Sequence, residues 1–350
     1  MVAFQYSVIV TFEYFVTKKN PKNVFTYQLK MASSSDYKPA LWFRNGHIQT
    51  IFPTVFRKVS GVCYKRERIQ TPDNDFLDLD WSCSGGQLLA VISHGLEGDS
   101  QRAYVKGMVK ALNEDQIDCL AWNYRTCGGE TNRQLRMYHN GCTDDLDLVI
   151  RHTLAKGYEK IVLIGFSMGG NLNLLYLGQQ CEQIHPQLKG AVAFSVPVDL
   201  EDASMQLSRV SNTIYMKRFL RLLHRKVKEK MVFFPDQIND RDFDQIKDFK
   251  AYDDRYTAPI HGFKSAEDYW TKCSCGPLLG RIRVPSLIVN AKDDPFLGPS
   301  CYPYHQRNNP CIYFEVPEYG GHIGFINRRI SGKYWSEFRT VDFIQDLKGT

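Results

Sequence analysis

This 350-residue chain lacks several things, and each absence narrows what it can be. It shows no apolar run long enough to span a bilayer. The aromatic and apolar stretch from Tyr6 to Val16 is broken by Glu13 and falls short of the roughly 20 residues a spanning helix needs. No basic segment precedes it, so it does not read as a secretory leader. Residues 1–36 are expected to be an extension outside the folded core, disordered or absent from the mature chain, with Met31 a candidate start. Charge of one sign is scarce too. Lys and Arg total 44 against 38 Asp and Glu, and a formal charge of +6 over this length argues for no nucleic-acid partner. No internal repeat or low-complexity tract is present. The ten cysteines form neither a C-x-x-C pair nor a Cys/His array at zinc spacing, so no metal site is expected. Reduced thiols in a cytoplasmic protein are the simplest account of them. What remains is ordinary globular composition, 43% hydrophobic, in a chain long enough for one α/β domain carrying an insertion.

The most informative stretch joins Lys160-Ile161-Val162-Leu163-Ile164 to Gly165-Phe166-Ser167-Met168-Gly169-Gly170. A short apolar strand ends at G-x-S-x-G, and an apolar helical segment follows at once. Glycines on both sides let the backbone bend sharply without a Cβ meeting the neighbouring strand and helix. Such a bend lifts the Ser167 hydroxyl clear of the sheet and aims the first helical N–H groups at the same spot. The bland alternative is a tight turn whose serine caps the helix. The strand-before, helix-after setting favours a nucleophile elbow, and hence a hydrolase.

A serine nucleophile needs a base, an orienting carboxylate and an oxyanion site. Downstream, Val284 to Asn290 reads as a buried strand ending in Ala291-Lys292-Asp293-Asp294-Pro295. The run Cys311 to Val316 leads to Tyr319-Gly320-Gly321-His322. Each candidate lies just past the carboxyl end of a strand, where open parallel sheets place their chemistry. Adjacent residues on a turn point different ways, so one aspartate serves; Asp294 is chosen, with Asp293 fixing the turn. His322 is the base. Leu88 to Ser93 is a further strand, followed by His94-Gly95-Leu96-Glu97-Gly98, so the backbone N–H groups of Leu96 and Met168 are the expected oxyanion donors. His94 and His261 are read as structural. Cys127, beside Gly128-Gly129, is the only rival nucleophile and lacks a following helix.

Trp42 to Ile51, HGLEGDS (94–100), NYRTCGGE (123–130), GFSMGGN (165–171), YTAPIHGF (256–263), NAKDDPF (290–296) and GGHIGF (320–325) together resemble the YheT-like branch of the α/β-hydrolase superfamily. The similarity covers roughly residues 37 to 345. It implies an α/β-hydrolase fold, a mostly parallel central sheet flanked by helices. It also implies a triad of Ser167, Asp294 and His322 that cleaves carboxylic esters or acylglycerols, with no cofactor. Some members of that superfamily transfer the acyl group to an alcohol instead, so an O-acyltransferase is the alternative. A non-catalytic binding protein on this scaffold is a third reading, disfavoured by an intact triad.

The expected organisation is a core over residues 37–198 and 284–350, interrupted by a helical cap over 199–283. Within the cap, Met216 to Lys230 is amphipathic. Phe219, Leu223, Val227 and Met231 recur every fourth residue, and seven Lys or Arg occupy the remainder. Two readings stand for this helix: an apolar face on the core with a solvated cationic face, or weak peripheral contact with anionic lipid. The partner expected is a small-molecule ester. The final helix, about Tyr334 to Leu347, is expected to pack through Trp335, Phe338, Val341 and Ile344.

Overall fold

The computed structural model describes residues 35–302, 309–327 and 332–348. The extension expected over residues 1–36 therefore lies almost wholly outside the described residues. Eight strands form one sheet in the order β1-β2-β4-β3-β5-β6-β7-β8. They are β1 (Lys65–Gln70), β2 (Phe76–Ser82), β3 (Leu88–Ser93), β4 (Asp118–Asn123), β5 (Lys160–Phe166), β6 (Leu188–Phe194), β7 (Ser286–Val289) and β8 (Ile312–Glu315). From β4 to β8 every pairing is parallel, while β2 runs antiparallel to both β1 and β4.

The strands β3 to β8 are those that apolar runs announce. β1 and β2 are not announced that way. β1 is Lys-Arg-Glu-Arg-Ile-Gln, and β2 sets Asp78 and Asp80 between apolar residues. Both carboxylates are buried, because the facing strand supplies their partners. Arg68 reaches Asp78 at 2.7 and 3.0 Å, and Arg66 reaches Asp80 at 2.8 and 2.7 Å. Bidentate pairing of this kind makes burial of a carboxylate tolerable. The charged outer strand also discourages edge-to-edge association.

Ten α-helices accompany the sheet among the described residues. They are α1 (Gly46–Phe56), α2 (Ala103–Glu114), α3 (Thr143–Ala155), α4 (Met168–Gln180), α5 (Leu200–Leu207), α6 (Thr213–Phe233), α7 (Phe249–Tyr252), α8 (Ala258–His261), α9 (Ala266–Cys273) and α10 (Trp335–Lys348). One apolar layer joins α3, α4 and α9 to the sheet, through residues such as Val149, Leu172 and Trp270. The opposite layer joins α2 and α10, through Met108, Leu112, Val341 and Phe343. Phe338 does not take the core position expected of it; it is 46% exposed. A step of three residues falls 60° short of a full helical turn, so a stripe of such steps winds off the buried arc. Phe343 packs against Tyr313 instead.

The segment between β6 and β7 contributes α5 to α9 and an apolar cluster of its own. Leu220, Leu223 and Val227 of α6 meet Phe243, Tyr252 and Tyr256, and Phe296 from the loop after β7 joins them. Two of the seven cations of α6 depart from the solvated face expected of them. Lys226 and Lys230 are buried beside the apolar stripe, and Phe219 and Met231 are only partly covered. No described helix is long and apolar enough to cross a membrane.

Candidate active site

Ser167 sits between β5 and α4 with φ 53° and ψ −118°, a conformation costly for a residue with a side chain. Its N–H donates to Phe194 O at 2.8 Å, which ties the turn to β6. The flanking glycines are obligatory for steric reasons. A Cβ at Gly165 would lie 2.5 Å from Gly169 O, and one at Gly169 would lie 2.2 Å from Ser93 O. The strand, the bend and the helix thus come within contact distance of each other at this one point.

His322, in the loop after β8, has its Nε2 2.8 Å from Ser167 Oγ. Its Nδ1 lies 3.1 and 3.0 Å from the two carboxylate oxygens of Asp294. With an acceptor-only group on that side, the Nδ1 carries the proton and the Nε2 lone pair is left to accept from the serine hydroxyl. Asp294 Oδ1 also accepts from Phe296 N–H at 2.9 Å, and the Phe296 ring lies 4.1 Å from the imidazole. The pair is dry: the side chains of His322 and Asp294 are 8% and 0% exposed.

The neighbouring aspartate plays another part. Asp293 Oδ1 accepts from Gly321 N–H at 2.8 Å and anchors the histidine loop. Burial, reinforced by the adjacent charge of Asp294, pushes its carboxyl up to about 6. The loop is held at two more points. His322 N–H donates to Thr50 Oγ1 at 2.9 Å, and Ile323 N–H donates to Ser195 Oγ at 2.9 Å. Helix α1 packs against the same region so closely that a Cβ at Gly46 would lie 1.8 Å from Asp293 O. That contact gives a physical role to the Gly46-His47-Ile48-Gln49-Thr50 string. Thr50 and Phe296 fall inside strings that carry the family resemblance but were given no role, and Ser195 was not anticipated, since nothing in its local sequence separates it from any other serine.

The loop after β3 runs beside the serine: a Cβ at Gly95 would lie 3.4 Å from Ser167 Cβ. Among the described residues, neither Leu96 N–H nor Met168 N–H has a hydrogen-bond partner, and both residues line a cavity with Ser167. Glu97 has a φ of 55° and is tied at every polar group. Its N–H donates to Tyr138 Oη at 3.0 Å, and its Oε1 accepts from Tyr138 at 2.6 Å and pairs with Lys226 Nζ at 3.2 Å. Arg102 donates to its carbonyl at 2.6 Å. Lys226 belongs to α6, so the segment between β6 and β7 grips the β3 loop beside the candidate oxyanion donor. Sequence reasoning missed this contact because Lys226 looks like any solvated cation of a basic helix.

His94 is fully buried. Its Nδ1 lies 2.8 Å from Gly95 O, its Nε2 accepts from Tyr124 N–H at 3.4 Å, and burial depresses its pKa to about 3. It is a neutral brace for the loop. His261 faces the carbonyls of Thr257 and Met137 at 2.7 and 3.1 Å. Cys127 is buried and lies 2.9 Å from Lys226 Nζ; burial pushes its thiol up to about 11. A protonated, covered thiol is no nucleophile. All ten cysteines are unbridged.

Two cavities meet at Ser167 and His322. One, of about 120 Å³, is lined mainly by apolar side chains including Leu200, Leu207, Leu223 and Phe296, with Asp253 and Trp270 also in its wall. The other, of about 280 Å³, opens between α1 and α6 past Ile51, Val55, Ile214 and Arg218.

Residues 91–328 match the model of the alpha/beta hydrolase fold family. This chain belongs to that family. Among known proteins it is 32% identical over 323 residues to Escherichia coli (strain K12) YheT, which carries an esterase designation; the match covers 90% of this chain and 94% of that one. It is 30% identical over 306 residues to the phospholipase ABHD3 of Mus musculus, covering 83% and 73% of the two chains. Of solved structures, the Pyrococcus furiosus esterase Pf2001 superposes with a TM-score of 0.54 at 17% identity, covering 83% of this chain and 96% of that chain. For this hydrolase-fold protein the last match speaks to architecture alone.

Proposed function

We propose that this protein is a serine-dependent carboxylic ester hydrolase acting through Ser167, His322 and Asp294. The observation that carries the reading is the unbroken relay from hydroxyl to imidazole to buried carboxylate, at 2.8 and 3.0 Å. Kinship with an esterase-designated protein and a phospholipase supports the same chemistry.

In the first step His322 Nε2 takes the Ser167 proton as Oγ attacks the ester carbonyl. Asp294 holds the imidazole in its reactive tautomer and stabilises the imidazolium. Leu96 and Met168 N–H receive the oxyanion, each donor contributing roughly 3 kcal/mol in the transition state. His322 then protonates the departing alcohol. It next activates the water that cleaves the acyl-enzyme. The smaller cavity, with its mainly apolar lining, suits a short or medium acyl chain, and the larger one between α1 and α6 suits the alcohol. Residues 199–283 act as a cap that closes the acyl side.

The test is Ser167→Ala. Hydrolysis of p-nitrophenyl butyrate and labelling by a fluorophosphonate are both expected to vanish while the circular dichroism spectrum is kept. Persistent turnover with persistent labelling would move the nucleophile elsewhere. Product analysis with added alcohol distinguishes hydrolysis from acyl transfer; the free acid is the expected main product.

A further inference from the structure

Helix α6 turns two unlike faces outward and inward. Its buried arc is apolar, carrying Leu220, Leu223 and Val227. Its opposite arc carries Ile214, Lys217, Arg218, Arg221 and Arg225 at helical spacing, all exposed. Among the described residues, Lys217, Arg218 and Arg221 form no ion pair, and Arg225 reaches only Glu229, at 3.9 Å. A row of cations without counter-charges repels itself and awaits an anionic partner.

Helix α1 lies alongside, joined to α6 by His47 Nδ1 and Tyr215 Oη at 3.0 Å. Its outward face is apolar. Ile48, Ile51, Val55 and Phe56 are 45, 41, 60 and 64% exposed, and Ile214 of α6 is 74% exposed. An apolar patch of this kind at a rim is seldom without purpose. The two helices wall the same opening, because Ile51 and Val55 on one side and Ile214 and Arg218 on the other line the cavity that contains Ser167 and His322. The mouth of the site is therefore bordered by apolar side chains and by Arg218, whose exposed arc on α6 continues through Lys217, Arg221 and Arg225.

We propose that this mouth docks on an anionic lipid surface. The apolar residues of α1 enter the acyl boundary, and the α6 cations meet the headgroups. The cavity between α1 and α6 then faces the bilayer, so the ester arrives from the membrane rather than from solution. This rests on the ester-hydrolase reading only for the identity of the cargo. The docking itself is independent of catalysis.

The experiment is vesicle flotation of full-length Ser167→Ala protein, in which hydrolysis cannot remodel the lipid. Vesicles are phosphatidylcholine alone, or phosphatidylcholine mixed with phosphatidylglycerol. Co-flotation is expected with the mixed vesicles, weakening as salt rises. R221E/R225E is expected to lower the partition coefficient by at least ~30-fold, from about 1 kcal/mol per cation near an anionic surface. Phe56→Asp is expected to lower it as well. In the background that retains Ser167, both variants keep their rate on soluble p-nitrophenyl butyrate. The proposal is overturned by absence of flotation, by equal binding to neutral vesicles, or by indifference to the charge reversal. It is equally overturned if the protein is a dimer that Phe56→Asp dissociates, since a second copy then occupies the face. Flotation as expected with no esterase activity would sink the catalytic reading and leave the docking intact.

Discussion

Asp293 and Asp294 are chemically identical neighbours, and the structure assigns them opposite environments, so replacing each by asparagine is a sharp comparison. In Asp294→Asn the imidazolium formed in the transition state loses its counter-charge. The Nδ1 lies 3.0 Å from the carboxylate in a site where both side chains are nearly inaccessible to water. With charge centres about 4 Å apart and an effective dielectric of about 20, the lost attraction is ~4 kcal/mol, or roughly a thousandfold in rate. An amide can also present its NH₂ to Nδ1 and favour the wrong tautomer, which takes the loss toward ~10⁴. Asp293→Asn should behave otherwise. Its carboxyl is already pushed up to about 6, and an amide oxygen can still accept from Gly321 N–H. A change of less than about tenfold in kcat is expected there. Steady-state hydrolysis of p-nitrophenyl butyrate at pH 8, with circular dichroism as a folding control, decides between them. Equal losses in the two variants, or a loss below tenfold in Asp294→Asn, would refute the argument that Asp294 is the charge partner of His322.

Lys226→Met strands the buried Glu97 carboxylate and should cost about 3–5 kcal/mol of stability, read by urea unfolding. A fall in kcat with little change in KM is expected too, because Glu97 follows Leu96, the proposed oxyanion donor; E97Q/K226M should regain much of the stability. Asp253 is buried against Thr257 and Trp270, and burial raises its carboxyl from 3.8 to about 7. The folded state therefore binds the extra proton between those values, so this group's contribution to stability is whole below about pH 4 and declines as pH climbs to about 7. Asp253→Asn should flatten that slope, worth about 2–3 kcal/mol between unfolding curves taken at pH 5 and 8. Gly169→Ala drives a methyl to 2.2 Å from Ser93 O. A loss of about 3 kcal/mol or more is expected, and an unchanged Tm would contradict the close approach of α4 to β3.

How much was legible in advance depends on whether the signal was local. The β5–Ser167–α4 junction is announced by apolar periodicity broken by glycines, because a sharp bend excludes Cβ atoms wherever it occurs. The six strands β3 to β8 are announced by their own apolar runs. β2 was missed because its aspartates mimic a solvated segment; only pairing with Arg66 and Arg68 across β1 makes them an interior strand. The buried face of α6 was half read, since helical spacing marks the apolar residues but cannot show that Lys226 has a carboxylate waiting for it.

Chain order and local chemistry were enough to nominate Ser167, Asp294 and His322, since each ends a strand and parallel strands deliver their ends to one edge. Folding in three dimensions decided the rest. It turned Asp294 rather than Asp293 to the imidazole, and it set Thr50 and Ser195, far away along the chain, to hold the histidine loop. It also gathered two helices from distant segments around a single opening. Short-range sterics are written residue by residue, whereas partners across a fold exist only once the backbone has brought their polar atoms within hydrogen-bonding reach.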